Sequence, residues 1–384
     1  MAIRFELLKS AVGVAALCAA ALCGAQASAQ EAYKVGVVLP LSGVGSANAD
    51  GANQGITAAL DVINAGNLAG RKVEIVVADD ASDPRTAGEV CNRLVLQDKV
   101  DAIISANPTP GRVACNQVAA KAGIPHLAAA TSPGNICFPN MFTVGQVNNQ
   151  LVVPLIDYLV KNGMKRVLFY GSDYAAPRAG YEIAKAETVK LGGEDLGGIF
   201  APLGQADFSA DLGKIAQAKP DVVLSSVQGA DNVTFHRQFG EDPRLAGIKR
   251  ADNFLTTGTA KMLGANGVGI YLATGYFASL DLPDNAAFKD ALEKKFPGKA
   301  NPDIWAVLGY NAMHLLAQSV KATDGSSAAV IKALTTASFD GPNGHVQIKD
   351  YYAAAPTYIA ETTADGSARI LEQSTIDPIV AKCQ

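Results

Sequence analysis

A two-lobed α/β protein is the fold class this sequence predicts: two Rossmann-like lobes, each a parallel sheet covered by helices, joined by a multi-strand hinge. Three observations carry it. Short apolar runs such as Val35–Leu39 and Val222–Ser226 alternate with amphipathic segments of helical period, the pattern of parallel strands buried on both faces. The alternation restarts after Phe142-Thr143-Val144. About 350 residues remain beyond a leader, more than the ~100–200 that one domain usually holds.

Residues 1–29 read as a secretory leader. Arg4 and Lys9 form a basic start, Ala11 to Ala25 an apolar run, and Ala27-Ser28-Ala29 a small-x-small cleavage site. The run falls short of the ~20 apolar residues that span a bilayer, so no membrane insertion of the mature chain is expected. Losing Arg4, Lys9 and Glu6 takes 32 basic and 36 acidic residues to 30 and 35, a net charge of −5. That mild acidity leaves no electrostatic footprint for nucleic acid.

The elements follow in order. Val35–Leu39 is a strand, Gly51–Asn64 a helix and Val73–Ala78 a strand. Asp83-Pro84 starts the helix that carries Cys91, with aspartate as N-cap and proline at the first position. Ala102–Ser105, a helix over Gly111–Ala122 and the strand Pro125–Ala129 continue the rhythm. The second series runs through a helix at Asn148–Lys161, strand Val167–Tyr170, helix Gly180–Leu191, a helix opened by Asp207-Phe208-Ser209, strand Val222–Ser226, a helix around Phe235–Phe239, and strands at Phe254–Thr256 and Tyr271–Gly275. Helices at Ile304–Ala322 and Ala328–Thr336 come next. The tail from Phe339 reads as antiparallel strands, with Asp365-Gly366 as a hairpin turn. Lobe 1 is expected over 30–146 plus 278–352, lobe 2 over 147–277 plus 353–384.

Export places Cys91, Cys115, Cys137 and Cys383 in an oxidising space, where disulfides are the default. Three pairings are open. Cys115 opens a helix after one strand and Cys137 lies in the loop after the next, which puts both at the same sheet edge, so the expected bridge is Cys115–Cys137, with Cys91–Cys383 as the remainder.

Enzyme chemistry finds little support. There is no Walker A sequence, no HExxH, no CxxC and no Gly-x-Ser-x-Gly elbow, and Gly43-Val44-Gly45 lacks the third glycine of a dinucleotide turn. No cofactor and no metal are expected. What accumulates instead is uncharged hydrogen-bonding residues after strands: Ser42, Asn107, Thr109, Thr131 and Ser132 in the first series, Tyr174, Gln228 and Thr257 in the second. Carboxyl ends of strands are where open α/β sheets hold ligands, and hydroxyls with helix-start N–H groups suit a carboxylate, amide or urea carbonyl. Singly, each has a plain structural use as a cap or turn brace.

The motifs KVGVVLPLSG, VEIVVADDASDP, GIPHLAAATSP and FDGPNGHVQI make the mature chain resemble the type I periplasmic solute-binding proteins of the branched-chain amino acid (leucine-binding) group. GSDYAAPR and ADFSADLGKIAQAKPDVVLSSVQGADN are more similar to that group's amide- and urea-binding branch. The resemblance implies a periplasmic receptor, not an enzyme, that hands a small molecule to an inner-membrane ABC permease. A ligand-sensing module for signalling or chemotaxis is the alternative, and a monomer is implied.

Carried over by motif position, the resemblance places the ligand carboxylate at Thr109, Ala130, Thr131 and Ser132, and a ligand-contacting tyrosine at Tyr174. Ala176 stands where the amide branch has a second aromatic. Thr256-Thr257-Gly258-Thr259 stands where leucine-type receptors place an acid for the ammonium, and Asp231 is the acid that could move in. The ligand classes left open are a small amide or ureide, an organic or aromatic acid, and a branched-chain amino acid.

Overall fold

A computed structural model describes residues 31–43 and 45–383; the expected leader lies outside them. The first lobe is built from β1 (Tyr33–Leu39), α1 (Ser46–Ala65), β2 (Val73–Asp79), α2 (Pro84–Leu96), β3 (Ala102–Ser105), α3 (Thr109–Ala122), β4 (His126–Ala128) and β5 (Met141–Thr143). The second contains α4 (Asn148–Lys161), β6 (Arg166–Ser172), α5 (Ala175–Lys190), β7 (Glu194–Ala201), α6 (Ser209–Ala218), β8 (Val222–Ser226), α7 (Gly229–Glu241), β9 (Lys249–Asp252), α8 (Thr257–Met262) and β10 (Ile270–Thr274). The chain then returns through α9 (Pro283–Lys295), α10 (Ile304–Lys321), α11 (Ser327–Leu334), β11 (Ser338–Gly341), β12 (Gly344–Lys349) and β13 (Tyr352–Ala354), and crosses again to β14 (Thr357–Thr362) and β15 (Ala368–Ser374).

The sheets run β11-β12-β13-β5-β4-β3-β1-β2 and β15-β14-β10-β9-β8-β6-β7. Their parallel parts share one plan, β2-β1-β3-β4-β5 and β7-β6-β8-β9-β10. In each the chain leaves its first strand in opposite directions, which opens a crevice between β1 and β3, and between β6 and β8, at the strands' carboxyl ends. Strand alternation covers both faces. Val35, Val37 and Leu39 pack into the layer of α1 and α10, while Val38 and Ile103 pack with Leu94 and Ala119 of α2 and α3. In β6, Val167 and Phe169 face α4, while Leu168 and Tyr170 face Phe208 and Phe235. Burying each such side chain contributes about 1.5–3 kcal/mol.

Local rules explain individual elements. Asp83 accepts from Thr86 N at 2.8 Å and Pro84 opens α2. Helices α1 and α10 touch backbone to backbone: a Cβ at Gly55 would lie 1.8 Å from the Ala306 carbonyl oxygen, so only glycine fits there. β7 escapes sequence reading because LGGEDLGGIF is a half-exposed edge strand without a continuous apolar run. Helix α9 escapes because it buries only Asn285, Phe288 and Leu292 among charged neighbours. The strand expected at Phe254–Thr256 is a loop, and β9 occupies Lys249–Asp252 instead. Phe254 and Leu255 are apolar because they line a cavity, not because they sit in the sheet.

The expected disulfides are re-paired. Cys91 joins Cys115 and Cys137 joins Cys383. Cys115 stands six residues into α3, roughly 9 Å along the helix from the sheet's carboxyl edge, on the face packed against α2 and Cys91. That position removes it from the loop holding Cys137. Beyond β15 the tail runs past the start of α4 and back to the first lobe: Asn149 Nδ2 donates to the Asp377 carbonyl (3.0 Å), Ile379 N donates to Asn149 Oδ1 (2.9 Å), and Ala381 N donates to the Gly134 carbonyl (2.8 Å) before Cys383 closes the bridge. The last sheet-to-sheet crossing follows Ala354, inside the span allotted to lobe 2, because β13 pairs with β5.

His126 is buried between Ser105 Oγ (2.7 Å from Nε2) and Asn116 Oδ1 (3.0 Å from Nδ1). Burial pulls its pKa down to about 3, that of His314 to about 4, and lowers that of His236. An unfolded histidine takes a proton near pH 6.5 while these folded ones refuse it, so their stability is full above pH 6.5 and falls as pH drops. Asp303 works oppositely: burial raises its pKa to about 6, which favours the fold between pH 6 and 4. The net expectation is a loss of roughly 1–3 kcal/mol per pH unit from pH 6 to 4. Calorimetric melting from pH 7 to 4.5 should show a steady fall in Tm, and a flat profile would refute neutral burial.

Candidate functional site

At the first-lobe crevice, Ser42 Oγ donates to Asp79 Oδ2 (2.7 Å), which ties the β1 turn to the end of β2. Asn107, 2% exposed, donates from Nδ2 to Asp80 Oδ2 at 2.6 Å, and its Oδ1 is buried without a partner. Thr109 opens α3. Arg112, one turn further on, donates from Nη2 to Thr109 Oγ1 (2.8 Å) and to the Thr131 carbonyl (3.1 Å). One guanidinium thus joins the loop after β3 to the loop after β4, the two loops to which the resemblance assigns a carboxylate. Ala130 is buried; Ser132 Oγ accepts from Gly134 N at 3.3 Å.

In the second lobe, Tyr174 OH donates to Gln228 Oε1 (3.1 Å), and Gln228 N donates to Ser172 Oγ (3.0 Å). The ends of β6 and β8 are therefore braced together. Burial pushes the Tyr174 hydroxyl up to about 12, so it acts as a neutral donor. Arg178 Nε donates to Asp173 Oδ1 (2.7 Å) and pins the outer side of the same turn. Asp231, the acid considered as an ammonium partner, accepts from Gly204 N at 2.7 Å.

A narrow cavity lies between the lobes. Thr131 and Gln146 line it from the first lobe, Asn253 to Thr256 from the second, and Trp305 and Leu308 from α10. Thr257 lines an adjoining recess with Thr256, Tyr276 and Asp303. Both Asp303 oxygens are engaged, Oδ1 accepting from Ala306 N (2.9 Å) and Oδ2 from Asn301 Nδ2 (3.0 Å). The walls are apolar on the Phe254–Trp305 side and polar at Thr131, Asn253 and Thr256, the mixture that orients a small organic molecule.

The acid missing from Thr256–Thr259 stands earlier, at the end of β9. Asp252 is fully buried. Its Oδ2 accepts from Ser225 Oγ (2.6 Å) and His236 Nε2 (3.0 Å), its Oδ1 from Phe254 N (2.6 Å) and Leu255 N (2.5 Å). With four donors it is saturated. It shapes the cavity wall and presents no free charge to it.

Gln146 joins the lobes' connections. Its Nε2 donates to the Pro356 carbonyl (2.9 Å), its backbone carbonyl accepts from Ser132 N (3.1 Å), and its Oε1 is buried without a partner. A Cβ at Gly275 would sit 2.2 Å from Gln146 Nε2, so any side chain there would have to displace this carboxamide. Of the nine residues singled out by sequence, Thr131 and Thr257 line the cavity or its recess. Thr109 and Thr131 meet through Arg112, Tyr174 and Gln228 meet each other, and Ser42 and Asn107 are held by Asp79 and Asp80. Arg112, Gln146, Asn253 and Trp305 were not singled out as site residues; the one tryptophan of the chain was the only flag among them.

Comparisons with known proteins agree with this architecture. A family model described as periplasmic binding protein matches residues 32–367. A Leu/Ile/Val-binding protein homolog from Brucella melitensis is 27% identical over 334 residues, covering 84% of this chain and 85% of its own. A solute-binding protein of an ABC transporter from R. palustris, solved in complex with benzoate, superposes with a TM-score of 0.81 at 27% identity, covering 91% of this chain and 99% of its own. Another from Rhodopseudomonas palustris BisB5, in complex with 3,4-dihydroxybenzoic acid, gives 0.79 at 25% identity, covering 90% and 97%. With the family match covering the interlobe cavity and every strand but β15, the chain belongs to the periplasmic binding proteins, a family of solute binders rather than enzymes.

Proposed function

We propose that this protein is the periplasmic receptor of an ABC importer and that it closes its two lobes over a small carboxylate with an apolar body, an aromatic acid being the best fit. The observation that carries the reading is the interlobe cavity: hydroxyl and amide groups at Thr131, Asn253 and Thr256 face an apolar wall of Phe254, Trp305 and Leu308, while Asp252 is saturated. The benzoate and dihydroxybenzoate complexes of similar proteins support it. Export through the leader at 1–29 and delivery to permease subunits belong to the same proposal.

A second reading, a branched-chain amino acid, is favoured by the Leu/Ile/Val-binding relatives and by Asp303 beside Thr257. It requires an ammonium to pull Asp303 away from its duties at the start of α10. Thermal-shift titration separates the readings, since a ligand for the folded state raises Tm by mass action. Benzoate should raise Tm more than leucine, acetamide or urea, and Thr131→Val should weaken benzoate roughly 10-fold, the worth of one hydrogen bond to a charged group. A shift with leucine alone would replace the first reading by the second. A shift with acetamide or urea and none with either acid would end both.

A further inference from the structure

Arg112 carries a charge that the fold around it does not balance. The side chain is 2% exposed, and Nη1 is buried without a hydrogen-bond partner. Among the described residues no carboxylate pairs with it, and Tyr352 is the neighbour that favours its charge. Burial lowers its pKa to about 10, which still leaves it protonated at neutral pH. A buried cation without a counter-ion is among the least favourable arrangements a protein can hold. The two bonds that Arg112 does make, to Thr109 Oγ1 and the Thr131 carbonyl, need only a neutral donor. A glutamine could serve them without desolvating a charge. The positive charge therefore answers to something other than the loops it joins.

We infer that Arg112 is the specificity determinant for a net anion: a carboxylate held beside Thr131 takes the unpartnered Nη1 edge as its counter-charge. The guanidinium is planar, permanently charged and suited to a carboxylate's two oxygens. A neutral amide of the same outline gains nothing from it. The inference rests on the interlobe cavity being the ligand site, and it selects within the classes left open, against amides and ureides.

Benzoate and benzamide share a shape and differ in charge, so their affinity ratio reads this directly. Both would be titrated calorimetrically, and by Trp305 fluorescence, into wild type, Arg112→Gln and Arg112→Lys. Wild type should favour benzoate by roughly 10- to 100-fold, the worth of hydrogen bonds to a charged partner. Arg112→Gln should bring the ratio close to one by weakening benzoate far more than benzamide, and Arg112→Lys should keep part of the preference. A purely structural role would weaken both ligands together and leave the ratio intact. A folded Arg112→Gln that retains the benzoate preference overturns the role of Arg112 and leaves the carboxylate site standing. A wild-type ratio near one overturns the inference whether or not the glutamine variant folds, and wild type binding neither probe removes the carboxylate reading itself.

Discussion

Replacing Cys137 and Cys383 together by serine should cost about 5 kcal/mol of stability in the oxidised protein. The bridge closes a sequence separation of 246 residues, and cross-linking so long a loop removes much of the unfolded chain's entropy, by about 5 kcal/mol on the loop-entropy scale. The Cys91–Cys115 bridge spans only 24 residues, and its removal should cost less, about 3–4 kcal/mol on the same scale. The double-serine variant also frees the tail, which is otherwise held by hydrogen bonds to Asn149 and Gln150 of α4, to Lys349 and to Gly134. Urea unfolding of both double variants measures the difference. Equal losses, or a smaller loss for the long loop, would show that the tail's bridge adds little beyond its surroundings.

Asp252→Ala should cost about 3–5 kcal/mol, the usual effect of removing one member of a buried ionic or charge-assisted pair. Its consequences extend to the ligand. The Phe254 and Leu255 N–H groups lose their shared acceptor, so the loop forming one wall of the cavity loses its fixed course, and benzoate binding should fall with stability. Asp252→Asn should be milder. The amide oxygen can keep the two backbone donors, and His236, whose Nδ1 has no partner, can move its proton there and accept from the new amide nitrogen. Urea unfolding together with benzoate titration checks both variants. An alanine variant within about 1 kcal/mol of wild type would mean the network is not tense enough to matter.

Much of the architecture was legible because it rests on local rules. β1 carries the apolar run Val35–Leu39 and β8 opens with Val222–Leu224, α2 declares itself by Asp83-Pro84, and the Asp365-Gly366 turn joins β14 to β15, with Gly366 at φ +79°. The misses have physical causes. Strand β9 begins with Lys249 and Arg250, so its charge hid it, while the apolar loop after it passed for a strand. The disulfide pairing depended on which helix face Cys115 occupies, and its neighbours on that face come from α2, outside its own helix. Arg112 was unreadable for the same reason. An arginine one turn into a helix usually sits in solvent, and only the loop carrying Thr131, folded over it, makes it buried. Legible in kind but not in partners, Ser42 and Asn107 sit at strand ends as expected, and the structure gives them acids to hold.

The meeting of Gln146 with Gly275 has a wider effect. One carboxamide lies against the backbone at 275, donates to the Pro356 carbonyl where the chain leaves for the second sheet, and belongs to a residue that lines the cavity. A bulkier residue at 275 would displace this carboxamide from its hold on Pro356 and reshape the cavity wall at the same point, since Gly275 and Gln146 both line it.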